Sequence, residues 1–172
     1  MNNRFSTKKI GIMAIFVSLG LVLQYAESRF LITPIPGGKL GLTNVVSIIN
    51  IFMLGGRNAI VVAVIRAFLG ALLTGGAAAV PYSVAGAMLA VLAMTVMKKI
   101  LHPRVSMVGI SIVGAVFHNL AQLTVASLVY KTFYVYSYLP LLLLLSLAMG
   151  TVTGCVTQIF SERILKSKKG IN

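Results

Sequence analysis

Long apolar runs fill this chain from about residue 10 to residue 162, and glycine, proline and basic residues gather where the runs break. Six segments follow: residues 10–26, 41–54, 59–73, 77–97, 105–130 and 138–162. A helix that crosses a bilayer needs about 20 predominantly apolar residues. The first, fourth, fifth and sixth segments reach or approach that length. The fourth tolerates Pro81 in its first turn, and the sixth carries Pro140 ahead of a leucine run from Leu141 to Leu145. The second and third, joined by Gly55-Gly56-Arg57-Asn58, are short. They are expected either to span a thinned region or to form a broken or re-entrant hairpin buried against the other helices. The pattern predicts an all-α fold, a polytopic membrane bundle of six transmembrane helices forming one integral membrane domain over residues 1–172.

Composition supports lipid as the solvent. Hydrophobic residues make up 58% of the chain and charged residues 10%, where a soluble domain carries about a quarter charged. The charges are one-sided: 15 Lys plus Arg against two acids, Glu27 and Glu162, for a net charge of +13. Basic residues lie at the ends of apolar runs and do not interleave with aromatics, so the balance points to membrane flanks and not to nucleic acid. With the N-terminus in the cytoplasm, Arg4, Lys8, Lys9, Arg57, Lys98, Lys99, Arg104, Arg163, Lys166, Lys168 and Lys169 all fall inside, against Arg29, Lys39 and Lys131 outside. Both termini are therefore expected in the cytoplasm of a bacterial cell. Lys8-Lys9 before an apolar stretch also resembles a signal peptide. The stretch is long for that role, however, and more membrane follows it.

The residue types absent from the chain limit its chemistry. With no aspartate there is no pair to hold Mg²⁺ on a diphosphate, and no two-carboxylate acid–base site is apparent. Cys155 is the lone cysteine, reads as a packed membrane residue, and cannot form an internal disulfide. His102 and His118 stand singly, without zinc spacing. The chain is expected to be neither an enzyme nor a holder of metal or cofactor.

Candidate functional residues are the polar ones inside the runs, since an unsatisfied polar group in hydrocarbon costs several kcal/mol. Arg66 lies mid-segment in Ile65-Arg66-Ala67-Phe68-Leu69-Gly70. It either pairs structurally, Glu27 being one partner, or snorkels, or binds an anionic substrate group. On the fifth segment His118 and Gln122 share a helix face, and Asn119 neighbours Gln122. The three form a polar stripe read as a cavity wall, against a plain reading as interhelical hydrogen bonds. Pro34-Ile35-Pro36-Gly37-Gly38-Lys39 predicts a shaped, non-helical lid before the second segment. Because Lys39 is followed by Leu40, the lid is no phosphate-cradling P-loop. Asn44, Gln24 and Glu27 lie near the outer ends of their segments, so these groups converge on the outward half and suit a pocket open to the outside. Interfacial placement is the simpler reading of Gln24 and Glu27. Small residues four apart, Ala14 with Ser18 and Gly150 with Gly154, let helices approach closely. On the first segment they offer a docking face for another membrane protein.

The strings LGLTNVV (41–46 with Leu40), RAFLGALLTGG (66–76) and GAVFHNLAQ (114–122), with the basic N-terminus and the Pro/Gly-rich loop, resemble the substrate-binding (S) components of energy-coupling-factor transporters over residues 8–165. Within that group the chain is similar to the family called Gx transporter or heptaprenyl diphosphate synthase component I. The resemblance implies a six-helix subunit that binds a vitamin or similar precursor from outside. A membrane T component and two ATPases would then reorient it. Ala14 and Ser18 match the small residues that face the T component, where the usual pattern has alanine at both positions. The synthase label implies proximity to isoprenoid, quinone or flavin metabolism. A chain without aspartate cannot itself hold Mg²⁺-diphosphate as prenyl diphosphate synthases do.

Overall fold

The computed structural model describes the backbone of residues 7–30, 41–101 and 103–169, with side chains as far as residue 162 apart from Phe30. The anticipated lid at residues 34–40 and His102 lie outside the described residues. All described secondary structure is helical: α1 (Thr7–Phe30), α2 (Thr43–Leu54), α3 (Gly56–Gly75), α4 (Val80–Leu101), α5 (Met107–Tyr130) and α6 (Leu139–Lys169). Short 3-10 turns at Ala77–Ala79 and Phe133–Tyr138 lead into α4 and α6.

Five of the helices are long and apolar enough to cross a membrane, and α2 is a shorter apolar helix. The third segment is longer than the sequence suggests. Ala59 N–H donates to the Gly55 carbonyl at 3.1 Å and the Asn58 amide donates to the Leu54 carbonyl. Gly55 alone, at φ 82°, therefore makes the turn between α2 and α3. At its far end α3 continues through Gly70, where Thr74 Oγ1 donates to the Gly70 carbonyl at 2.8 Å. Only α2, with 12 residues, is short: at 1.5 Å per residue it reaches about 18 Å, against a hydrocarbon core of about 30 Å.

The position of α2 explains how it tolerates this length. Neighbouring helices pack in the order α1–α3–α4–α5–α6, an open ring whose two ends do not touch among the described residues, and α2 sits inside it in contact with all five. Its Val46, Ile48, Asn50 and Ile51 are nearly inaccessible, so protein replaces lipid around the short helix. A file of alanines on α3 (Ala59, Ala63, Ala67, Ala71), all buried, allows close approach. The main core joins Ile48 and Ile51 of α2 to Ala59, Ala63 and Ala67 and to Ala87, Ala90, Val91 and Met94 of α4 and Ile110 of α5. Lys98 of α4 secures the C-terminal end of α2: its Nζ donates to the Ile51 carbonyl at 3.1 Å and lies 3.9 Å from the centre of the Phe52 ring.

The bundle faces outward with apolar side chains. Between 28% and 39% of each crossing window is buried inside the protein, as befits helices whose remaining surface meets hydrocarbon. The end of the bundle where α1, α3 and α5 finish is called the upper end. It carries exposed Tyr130, Phe133, Tyr134 and Tyr138, the residue types that anchor at a membrane–water boundary.

Along the α5–α6 seam, glycines bring backbones together. A Cβ on Gly150 would lie 2.7 Å from the Ile112 Cα, and one on Gly154 would strike the Val108 Cα. The polar groups of that seam satisfy one another. Ser111 and Thr153 hydroxyls are 2.7 Å apart, and Asn119 Nδ2 donates to Ser146 Oγ at 2.8 Å.

Candidate functional site

Polar residues of α1, α2, α3, α4 and α5 line one small hollow in the upper half of the bundle: Gln24 and Glu27, Gly41, Thr43 and Asn44 at the entry to α2, Arg66, Ser83 and His118. Arg66 is 4% exposed, Gln24 4% and Glu27 5%, which rules out snorkelling for the arginine. Its Nη1 donates to Gln24 Oε1 at 3.2 Å, and the charge of Glu27 acts on it. Glu27 also accepts a hydrogen bond at 2.8 Å from the Gly41 backbone N–H, 14 residues along the chain. The N-terminus of α2, the positive end of its dipole, thus opens onto the hollow beside Arg66. Gln24 Nε2, although buried, has no hydrogen-bond partner.

Glycines seat these side chains. A Cβ on Gly20 of α1 would strike the Arg66 side chain, and one on Gly70 of α3 would lie 2.5 Å from the Gln24 amide. The arrangement is reciprocal. On α1 a glycine and a glutamine lie four apart, and on α3, which runs parallel to α1, an arginine and a glycine lie four apart, so each long polar side chain rests where its neighbour lacks a Cβ. In the same way the His118 ring occupies the space that a Cβ on Gly86 of α4 would claim at 2.8 Å.

The hollow is closed around its polar groups. Its free volume is about 10 Å³, room for about one water.

Of the residues singled out in the sequence, Gln24, Glu27, Asn44, Arg66 and His118 meet at this hollow. Asn119 turns to α6, bonded to Ser146 and, at 3.4 Å, to the Leu142 carbonyl. Gln122 is half-buried and does not line the hollow. Ala14 and Ser18 lie on the outward surface of α1, with Ser18 Oγ donating back to the Ala14 carbonyl at 3.0 Å. Sequence reasoning passed over Thr43 and Ser83 in the wall, and Gly20, Gly70 and Gly86 beneath the polar side chains. It also passed over Asn50 of α2, fully buried with neither amide atom hydrogen-bonded and outside the hollow. The signal for the glycines was present: Gly20 and Gly70 each stand four residues from a polar residue in an apolar run.

No curated protein and no solved structure matches this chain. The family model described as heptaprenyl diphosphate synthase component I matches residues 16–160, which include every residue of the hollow. The chain belongs to the heptaprenyl diphosphate synthase component I family.

Proposed function

We propose that this protein is the membrane substrate-binding subunit of an energy-coupling-factor-type transporter, and that it takes up a vitamin or related small precursor bearing an acidic group. The observation that carries the reading is the enclosure of Arg66. An arginine at mid-bilayer costs roughly 2.5–3.5 kcal/mol on insertion scales. Here it is turned away from lipid into a polar hollow shared by five helices, with an unpartnered amide donor, Gln24 Nε2, beside it. The basic residues at the lower end make that end cytoplasmic under the positive-inside rule, so the hollow lies in the outward half and both termini lie inside. Ala14 and Ser18, exposed on α1, are available as the docking face for a membrane T component driven by two ATPases. The subunit itself is non-catalytic.

The test is gentle purification followed by co-purification analysis and native mass spectrometry. Recovery of a T component with ATPases, and of an acidic small molecule on the isolated chain, is the expected result. The family description favours a second reading, a non-catalytic membrane partner of an isoprenoid, quinone or flavin pathway. Recovery of a soluble prenyl synthase, with no small molecule bound to the isolated chain, would establish that reading instead.

A further inference from the structure

We infer that Glu27 is a built-in stand-in for the ligand's acidic group, a latch that the incoming carboxylate or phosphate displaces from Gly41 and Arg66. The inference rests on the proposed reading of the hollow as a site for an acidic substrate.

The hollow holds a cation, one carboxylate and a buried amide donor with no partner. The Gly41 N–H, just ahead of α2, donates to the Glu27 carboxylate, and Arg66 and the entry to α2 line the same hollow. Gln24 Nε2, on a side chain 4% exposed, borders the same space without a partner. A buried unpaired N–H is costly, and here it stands beside the Arg66 guanidinium, where an anion in the hollow would satisfy it. The surplus donor, the guanidinium and the helix N-terminus together form a site for an anion. In the closed state Glu27, one of only two acids in the chain, supplies that anion.

The contact is also mechanical. Gly41 lies two residues before the start of α2, and its N–H reaches across to Glu27 on α1 at 2.8 Å. The free volume of about 10 Å³ holds no ligand anion while Glu27 is in place. An acid that takes over Arg66 and Gln24 therefore needs the Glu27 carboxylate to leave. Glu27 stands three residues from the upper end of α1, next to exposed Ser28 and Arg29, so water is within reach of the released carboxylate. The same exchange frees the entry to α2 from α1 and opens the hollow. Charge stays balanced at Arg66, since one carboxylate or phosphate replaces another.

The test titrates inorganic phosphate and acetate, separately, into the purified full chain in detergent, comparing wild type with Glu27→Gln and Arg66→Gln. Loss of the competing charge in Glu27→Gln should tighten binding of at least one of the two anions tenfold or more, and Arg66→Gln should abolish it. Tightening for acetate alone marks a carboxylate ligand, and for phosphate alone a phosphate ester. Unchanged or weaker binding in Glu27→Gln, with binding still lost in Arg66→Gln, overturns the latch and leaves the anion site standing. Wild-type binding in Arg66→Gln overturns the anion site itself. Should Glu27→Gln fail to fold, hydrogen exchange of the Gly41 amide in wild type decides. Saturating phosphate or acetate should speed it severalfold, and unchanged or slower exchange with the anion bound contradicts the latch.

Discussion

The α5–α6 seam and the α1–α3 seam use the same ingredients, glycines and polar side chains in apolar helices, to opposite ends. In the first, Gly150 and Gly154 meet the backbone of α5, and Ser111, Thr153, Asn119 and Ser146 close their hydrogen bonds on each other. None of these four side chains is left with an unpartnered buried atom, and the seam is a structural contact. In the second, Gly20 and Gly70 meet side chains, Arg66 and Gln24, and keep long polar groups inside the bundle. That seam retains a cation, a carboxylate and an unpartnered amide donor around a small void. Polar content alone does not mark a membrane site. What sets the α1–α3 seam apart is unsatisfied polar content gathered beside a charge around a void.

The comparison is broken most forcefully at Arg66. Arg66→Gln removes the buried cation whose charge acts on Glu27, an effect of up to about 3–5 kcal/mol. The double variant Arg66→Gln with Glu27→Gln should recover most of that stability in thermal unfolding while remaining unable to bind anions. A double variant as unstable as the single one would mean that the pair is itself a scaffold. At the other seam, Gly154→Val forces a branched side chain against the α5 backbone and should cost ~1–3 kcal/mol, with ligand binding unaltered in the folded fraction. Gly70→Ala presses on the movable end of Gln24. It should cost less than Gly154→Val in stability yet weaken anion binding, because Gln24 is shifted off Arg66. The smallest effect belongs to Asn119→Ala, about 0.6 kcal/mol, the average for an interhelical hydrogen bond in a membrane. Binding should persist in that variant. Loss of binding there would extend the site to the α5–α6 seam.

Much of the architecture was legible in the apolar runs, because lipid demands continuous helices and basic residues mark their ends. The start of α3 was not, since Gly55-Gly56-Arg57-Asn58 reads as a loop until the Asn58 and Ala59 hydrogen bonds wind it into helix. The buried polar residues were visible as exceptions, but their partners were not. His118 and Asn119 are one residue apart, hence about 100° apart around α5. The sequence does not say that α4 lies on one side and α6 on the other. Gly20 and Gly70 carried a spacing signal and Gly86 did not, and the role of all three follows only from the side chain that a neighbouring helix lays across each.

Native mass spectrometry of the gently purified chain, wild type beside the Arg66→Gln, Glu27→Gln double variant, tests the central claim most directly. The account predicts a small molecule with a carboxylate or phosphate retained by the wild type and absent from the folded double variant. Retention of the same molecule by both proteins, or a wild-type ligand with no acidic group, would contradict it.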